Sequence, residues 1–343
     1  MTRKEQILLL LEEQQGEAIS GQEIADKLSV TRAGVWKAIK LLQKEGYAIE
    51  AVPNKGYTLK KSADVLSAAH IRQKLSERGT ELLVKVEKEV VSTNTSLRQY
   101  AEQGEKRDML LLAEHQSGGK GRKGRSFYSP EGSGLYMSLL LHPEMPAHEG
   151  TLITTMTAAA VALALEHVSG QQVQIKWVND VLVRGKKVVG ILTEGSSSME
   201  EGRFEYVIVG IGINVYEPSG GFPPEVSQVA GAVFSGDVCR ENLRNRIAVE
   251  VVNEFMKYYR SFQEKAFLED YRSRSYLIGQ RVRIIPTERI TAEGASLQED
   301  ESFSTATVLG IDDECHLVVQ YEDGRQETLS NGEVSVRESF QLR

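Results

Sequence analysis

A glycine-rich basic loop at residues 118–127 decides which nucleotide-binding folds this chain can adopt. The loop reads GGKGRKGRSF and contains a literal G-x-G-x-x-G. A dinucleotide fold needs a strand before that motif, a helix opening on its last glycine, and an acidic residue about 20 positions later. The apolar run MLLLAEHQ at 109–116 supplies the strand, but SFYSPEGSG follows the loop, and its proline and turn-forming residues cannot carry an apolar helical face. Because the candidate acid, Glu144, also lies in a loop (HPEMP), the sequence disfavours a dinucleotide fold.

The same loop carries four cations between its glycines: Lys120, Arg122, Lys123 and Arg125. Glycine lets backbone N–H groups approach an anion closely, and neighbouring cations neutralise its charge. The pattern therefore predicts a site for phosphate or carboxylate. A flexible surface loop or a second nucleic-acid contact is the alternative that charge alone leaves open.

Length and composition limit the remaining choices. A chain of 343 residues has room for two or three domains, and a net charge of -7 argues against coating nucleic acid along the whole length, though not against one basic module. Cys239 and Cys315 have no C-x-x-C or zinc spacing, which is typical of a reducing cytosol. The N-terminus does not resemble a signal peptide, and the apolar segment 151–168 contains four threonines, so we expect a buried helix and a cytoplasmic protein.

The first sixty residues predict three helices and a hairpin. An amphipathic segment at 4–13 is followed by Ser20 and Glu23 at the spacing of a capping box. Thr31 is placed to cap a third helix. Two short alternating runs then flank the turn Pro-Asn-Lys-Gly within residues 47–59, which is a hairpin signal. This order of elements is that of a winged helix-turn-helix.

This N-terminal segment is basic in an otherwise acidic protein. Residues 32–61 contain seven Lys or Arg against two Glu, which together with the motif order predicts DNA binding. A solvated basic face or a protein-contacting winged helix are the alternatives. The residues expected to contact DNA are Gly21, Gln22, Thr31, Arg32, Ala33, Lys37, Lys40 and Lys55.

Three further segments place small or polar residues at strand ends. The run VSTNTSLRQYAEQG predicts a strand end, then Ser-Thr-Asn, then a helix. The run VQIKWVNDVLV carries Lys176 inside an apolar β segment, and EYVIVGIGINV is a strand whose Gly210 and Gly212 leave room against its backbone. Each signal is weak alone, because strand lysines are commonly edge residues and strand glycines often mark bulges.

Taken in order, the motifs STN, Q-x-G-x-K-G-R-x-G-R, KWxND, GILTE and GIGIN resemble those of the biotin–protein ligases. The amino-terminal winged helix resembles the bifunctional class that is also the biotin operon repressor. The match covers essentially the whole chain. Two positions depart from the family pattern, namely Lys120, where Arg is commoner, and Val178, where proline is usual.

The resemblance implies an α+β multidomain protein. It has a winged helix-turn-helix DNA-binding domain at residues 1–62 and a central mixed α/β, class II synthetase-like catalytic domain for biotin and ATP at 63–276. Short strands beyond residue 277 fit a small SH3-like β-barrel at 277–343. We expect a helix over 62–79 at the first boundary and a long polar loop at 286–303.

The resemblance also implies the reaction. Such enzymes join biotin to ATP, giving biotinyl-5'-AMP and pyrophosphate, with Mg²⁺ accompanying ATP and no dedicated protein metal site. They then transfer biotin to one lysine of the biotin carboxyl carrier protein of acetyl-CoA carboxylase. In the bifunctional class the adenylate is the corepressor, and it favours a homodimer that binds operator DNA. A non-catalytic ligand-sensing repressor and a lipoate-type ligase are the alternative functions.

Residue roles follow from the same resemblance. Lys176 and Arg122 are the implied catalytic residues. The implied biotin-binding residues are Ser92, Thr93, Asn94, Gln116, Lys120, Gly121, Arg122, Lys176, Gly190, Gly210 and Gly212. The implied ATP- or adenylate-binding residues are Lys120, Arg122, Arg125, Asn179 and Asn214. The segment 216–226, with a glycine pair and three prolines, resembles the loop that orders over bound adenylate.

Overall fold

The computed structural model describes residues 2–14, 16–60, 64–76, 79, 81–198, 202–236, 242–285, 304–330 and the backbone of 333–336. The N-terminal residues form three helices followed by an antiparallel hairpin with a core of their own. These elements are α1 Arg3–Glu13, α2 Gly21–Leu28, α3 Arg32–Lys44, β1 Ile49–Val52 and β2 Gly56–Leu59. The element order predicted for a winged helix-turn-helix is confirmed.

Side-chain caps fix where the first two helices begin. Ser20 accepts a hydrogen bond from the backbone N–H of Glu23 at 3.0 Å, as predicted for the N-cap of α2. The predicted reciprocal half of that capping box is not formed, because the Glu23 carboxylate pairs with Lys27 at 2.9 Å. A complete capping box lies at the start of α1, between Thr2 and Glu5.

A seven-stranded sheet forms the centre of the molecule. Its strands are β3 Leu83–Val90, β4 Met109–Gln116, β5 Gly134–Leu141, β6 Val173–Lys176, β7 Asp180–Val183, β8 Lys186–Ser197 and β9 Phe204–Asn214. The strand order is β3-β4-β5-β9-β8-β7-β6. Only the pair β3–β4 is parallel within this sheet, and the other five pairs are antiparallel.

Helices cover the sheet on both faces, which explains why its central strands read as continuous apolar runs. The helices are α4 Ala68–Lys74, α5 Thr93–Glu102, α6 Gly150–Ser169, α7 Pro224–Ser227, α8 Leu243–Arg260 and α9 Phe267–Ser273. In β4, Leu110 and Leu112 join the large core with α6 and α8. Met109 and Leu111 join a smaller cluster with Leu97 of α5.

Helix α6 corresponds to the apolar segment 151–168, which we expected to form a buried helix. Among the described residues it is the helix long and apolar enough to be compared with a membrane span. Twelve of its residues are buried among the side chains of the central core, however. The predicted buried helix is confirmed.

Two predicted elements differ from the structure. Among the described residues of the helix expected over 62–79, only α4 is helical, and residues 64–67 before it have no regular secondary structure. The predicted β run 173–183 is a hairpin, in which a turn at 177–179 separates β6 from β7. That turn brings Lys176 opposite Asp180 in the ladder and leaves Trp177 and Val178 buried.

The C-terminal residues form a separate five-stranded antiparallel sheet. Its strands are β10 Arg281–Ile285, β11 Ser304–Ile311, β12 Leu317–Tyr321, β13 Gln326–Leu329 and β14 Glu333–Val336. The order is β13-β12-β11-β10-β14, and within the described part of the chain β13 and β14 do not pair with each other. The sheet is therefore observed but not its closure into a barrel, and the loop expected at 286–303 lies outside the described residues.

Candidate active site

A cavity of about 290 Å³ lies beside the central sheet. It is bordered by the start of α5, the end of β4, the turn between β6 and β7, and strands β8 and β9. All the residues that the sequence assigns to biotin or adenylate line this one cavity: Ser92, Thr93, Asn94, Gln116, Lys120, Gly121, Arg122, Arg125, Lys176, Asn179, Gly190, Gly210, Gly212 and Asn214. Their convergence is observed, and their contacts with ligand atoms stay a prediction.

A buried hydrogen-bond network fixes the polar end of the cavity. The N–H of Thr93 donates to Gln116 Oε1 at 2.9 Å, which ties the first turn of α5 to the end of β4. The hydroxyl of Ser138, on β5, bonds the Thr93 hydroxyl at 2.6 Å and Asn94 Oδ1 at 2.7 Å. Asn94 Nδ2 donates to Glu194 Oε2 at 2.8 Å. Because these side chains hold one another, the donors and acceptors facing the cavity are preorganised.

Glycines in β8 and β9 make room for the protein's own side chains. A Cβ on Gly210 would lie 2.3 Å from Asn94 Oδ1, and one on Gly212 would lie 2.6 Å from the ring of Phe127. A Cβ on Gly190 would lie 3.2 Å from the same ring. We expected these glycines to leave space for biotin, but Asn94 and Phe127 fill part of that space.

The basic loop forms a short backbone-bonded excursion between β4 and β5. The N–H of Phe127 donates to Gly119 O at 2.9 Å, and the N–H of Gly121 donates to Arg125 O at 2.7 Å. Its tip is a single 3₁₀ turn at Arg122–Gly124, and no helix opens from it. The structure therefore agrees with the rejection of a dinucleotide fold. Gly119 is required by packing, since a Cβ there would lie 2.4 Å from Phe127 O.

The turn between β6 and β7 connects this loop to Lys176. Asn179 Nδ2 donates to Ile191 O at 2.8 Å, while its Oδ1 accepts from Arg122 Nη1 at 3.1 Å. Within the described part of the chain, the ammonium of Lys176 has no hydrogen-bond or ion-pair partner and lines the cavity. The arrangement offers cationic groups of Lys120, Arg122 and Lys176 to one bound anion.

Several residues in the cavity wall or directly behind it were not predicted from the sequence. Lys187 and Asp180 both line the cavity and form an ion pair with Nζ to Oδ1 of 2.6 Å. Phe127 covers two glycines, and Ser138 bonds the α5 residues from a position with 0% exposure. Lys187 follows a turn and Ser138 lies inside an apolar strand, so neither position carried a local signal. Asp180 belongs to the KWVND motif and could have been assigned from it.

The predicted adenylate loop borders the cavity and is anchored at its base. Phe222 and Val226 line the cavity. At the start of the segment, the hydroxyl of Tyr216 donates to Asp64 Oδ2 at 2.8 Å. Asp64 also pairs with the buried guanidinium of Arg244. Burial raises the pKa of the Asp64 carboxyl above its ordinary value, against the opposing effects of Arg244 and Tyr216.

The residues predicted to meet DNA lie on the N-terminal helices and wing. The exposed ones are Gln22, Thr31, Arg32, Ala33, Lys37, Lys40 and Lys55. Gly21 is half-buried, and a Cβ there would lie 3.3 Å from the ring of Tyr57 in the wing, so packing accounts for it. Trp36, which was not predicted, is 52% exposed on α3. One helix and its wing therefore present both cations and an indole to solvent.

Comparisons with known proteins agree with this architecture. A helix-turn-helix domain family matches residues 3–58, the biotin/lipoate A/B protein ligase family matches 87–214, and the biotin protein ligase C-terminal domain matches 288–337. The bifunctional ligase/repressor BirA of Bacillus spizizenii is 33% identical over 94% of this chain and 95% of its own length. BirA of Bacillus subtilis is 37% identical over 78% of this chain and 81% of its own length.

Among solved structures, the biotin protein ligase from Aquifex aeolicus in complex with biotin and ATP superposes with a TM-score of 0.57 at 27% identity. The match covers 75% of this chain and 99% of that one. Since relatives of this similarity extend over nearly the whole sequence, the chain belongs to the biotin–protein ligase family, in its branch of bifunctional ligase/repressors.

Proposed function

We propose that this protein is an ATP-dependent biotin–[acetyl-CoA-carboxylase] ligase and a biotin-responsive transcriptional repressor. The ligase function is supported mainly by one observation: neutral polar side chains and cationic side chains line the same cavity. A polar network of Thr93, Asn94 and Gln116 forms one part of its wall, and the cations Arg122 and Lys176 belong to another part. The polar network suits a neutral polar ring, and the cations suit a carboxylate meeting a phosphate.

The first reaction joins two anions and needs no protein nucleophile. A biotin carboxylate oxygen attacks the α-phosphorus of ATP, the bond to the β-phosphate oxygen breaks, and pyrophosphate leaves with that electron pair. Lys176 and Arg122 would neutralise the carboxylate and α-phosphate oxygens, which otherwise repel each other. Holding both substrates in one cavity supplies the remaining advantage through orientation.

The pyrophosphate end of ATP has its own candidate groups. Lys187 lines the cavity beside Asp180, and its ammonium would balance charge on the leaving phosphates. Asp180 supplies a carboxylate to the cavity wall, which fits an accompanying Mg²⁺ held mainly by phosphates and water. In the second reaction the amine of an acceptor lysine attacks the acyl carbon of the adenylate, and AMP leaves.

Exchange of labelled pyrophosphate into ATP tests the ligase function. We expect exchange that depends on biotin and is not supported by lipoate, followed by labelling of a purified biotin carboxyl carrier domain. Exchange with lipoate alone would assign the chain to the lipoate-type ligases. Biotin binding without any exchange would identify a non-catalytic sensor.

The repressor function rests on the N-terminal face. We propose that Arg32, Lys37 and Lys40 contact DNA phosphates, with Lys55 contacting the backbone from the wing. The adenylate would act as corepressor by favouring a homodimer that presents two such faces in the cytoplasm. Operator affinity measured by Trp36 emission should rise when biotin and ATP are both added, and equal affinity in their absence would exclude corepression.

The finer architecture is also part of this proposal. We retain domain limits of 1–62, 63–276 and 277–343 for the DNA-binding, catalytic and C-terminal domains. The five-stranded C-terminal sheet is proposed to curl into an SH3-like barrel, and the central domain to share the plan of class II synthetases. Limited proteolysis that releases fragments ending near residues 62 and 276 would support these limits.

A further inference from the structure

The C-terminal sheet contacts the turn that directly follows Lys176. The indole Nε1–H of Trp177 donates to the backbone oxygen of Cys315 at 2.8 Å. Cys315 lies between β11 and β12, so this bond joins the catalytic domain to the C-terminal sheet. Trp177 is 6% exposed and Cys315 is 0% exposed, which means that water cannot replace either partner.

Helix α9 and the residues after it hold the same turn from another direction. The hydroxyl of Tyr271, which is fully buried, donates to Val178 O at 3.1 Å. The N–H of Ile175 donates to Arg274 O at 2.7 Å, and the N–H of Tyr276 donates to Ile175 O at 2.8 Å. The residue before Lys176 and the two residues after it are therefore each bonded to a C-terminal part of the chain.

The two supports are also bonded to each other. Arg272 Nε donates to Ile311 O at 2.9 Å, and its Nη2 pairs with Asp313 Oδ1 at 2.7 Å. Lys265 Nζ donates to Asp313 O at 3.0 Å. Helix α9, the β11–β12 turn and the β6–β7 turn thus form one bonded unit. Lys176 lines the cavity at the start of the β6–β7 turn, together with Trp177 and Asn179 of the turn itself.

Lysine is long and flexible, so where its ammonium can reach depends on how firmly its backbone is held. We infer that Trp177 and Tyr271 are positioning residues for Lys176, and that the C-terminal sheet is thereby a working part of the adenylation site. This inference rests on the proposed ligase function. It assigns no contact with substrate to Tyr271, which acts only through the backbone of the turn.

Full-length Tyr271→Phe, which removes only the hydroxyl, tests the inference against a matched control. Tyr258→Phe also removes the hydroxyl of a buried tyrosine, but that hydroxyl donates to Asp270 of α9 at 2.5 Å and, among the described residues, forms no hydrogen bond with the turn. Loosening of α9 alone would affect both variants. Trp177→Phe is the second test variant, and it keeps an aromatic ring while deleting the N–H donor.

The measurement is the rate of biotinyl-5'-AMP formation at saturating substrates, together with KM for biotin and for ATP. We expect Tyr271→Phe and Trp177→Phe to lower kcat about tenfold to a hundredfold, as for a reacting group displaced by a fraction of an ångström. KM for biotin should stay within about twofold of the parental value, because the polar network of Thr93, Asn94 and Gln116, which is proposed to bind biotin, has no bond to this turn within the described part of the chain. Tyr258→Phe should retain the parental kcat.

Parental kcat in both test variants would overturn the inference, and so would an equal loss in Tyr258→Phe. A rise in KM for biotin without a fall in kcat would also contradict it, because it would indicate general loosening of the cavity. A parent protein without biotin-dependent adenylate formation would refute the proposed function itself. Alkylation of Cys315 in each folded variant checks that the C-terminal sheet stays docked, since its thiol is buried in the parent.

Discussion

The exchange of Gly210 for alanine is the substitution whose effect follows most directly from the geometry of the cavity. Its Cβ would lie 2.3 Å from Asn94 Oδ1, whereas ordinary contact begins at 3.4 Å. Asn94 would have to withdraw by about 1 Å, the difference between those distances. The withdrawal breaks the bond from Ser138 Oγ, which is 2.7 Å long, and displaces the bond to Glu194 at 2.8 Å.

The free energy of unfolding should fall by about 2–6 kcal/mol. Two buried hydrogen bonds contribute about 0.5–1.5 kcal/mol each, and leaving a buried polar atom unsatisfied adds about 1–3 kcal/mol. For a catalytic domain of this size that loss lowers the unfolding temperature by roughly 4–24 °C. Biotin affinity should fall as well, because Asn94 lines the cavity.

Differential scanning calorimetry and isothermal titration with biotin are the assays. Gly310→Ala is the control, because no heavy atom lies within 4 Å of a Cβ at that strand position. We expect the control to unfold within about 0.5 kcal/mol of the parent. If Gly210→Ala kept the parental stability and the parental biotin affinity, the claim that Gly210 makes room for the Asn94 side chain would be refuted.

Three further results are expected. Arg122→Gly should release adenylate and label bystander lysines, since it loses both a cation and its bond to Asn179; adenylate retention equal to the parent would count against this. Arg244→Met should destabilise the protein by about 3–5 kcal/mol in thermal unfolding, because it leaves the partly buried carboxylates of Asp64 and Glu114 without their cation. Burial raises the pKa of the Cys315 thiol to about 11, so alkylation at pH 8.5 should be slow until urea is added. The associated stability is complete below pH 9 and is lost as pH rises towards 11; pH-independent unfolding over that interval would be evidence against it.

Much of the fold followed from local sequence patterns. The winged helix was predictable because each helix has its own cap and apolar stripe, and the hairpin has a turn signal. Residues 173–183 were harder, since an apolar run with a polar interruption fits a strand as well as the hairpin that forms. The shortening of the helix at 62–79 depends on Arg244 and Asn245 binding the preceding segment, and they follow it by about 180 positions.

The candidate site was predictable to the extent that its residues belong to motifs. Residues in STN, the basic loop, KWVND and GIGIN all reach the cavity. Ser138 and Lys187 have no local signature, because their importance comes from strand neighbours that only the folded sheet brings together. The sequence indicated that the strand glycines leave room beside the backbone, but only the structure shows that Asn94 and Phe127 fill part of that room.

The central claim is that Lys176 and the basic loop hold a carboxylate against the α-phosphate of ATP in one cavity. The most direct test compares biotin-dependent pyrophosphate exchange by Lys176→Ala with exchange by the parent. The variant should first be shown to unfold at the same temperature as the parent, so that a loss of folding does not explain the result. We expect exchange to fall by about 10²-fold or more, as for the loss of one group that stabilises charge in the transition state. Exchange at the parental rate in the folded variant would contradict it.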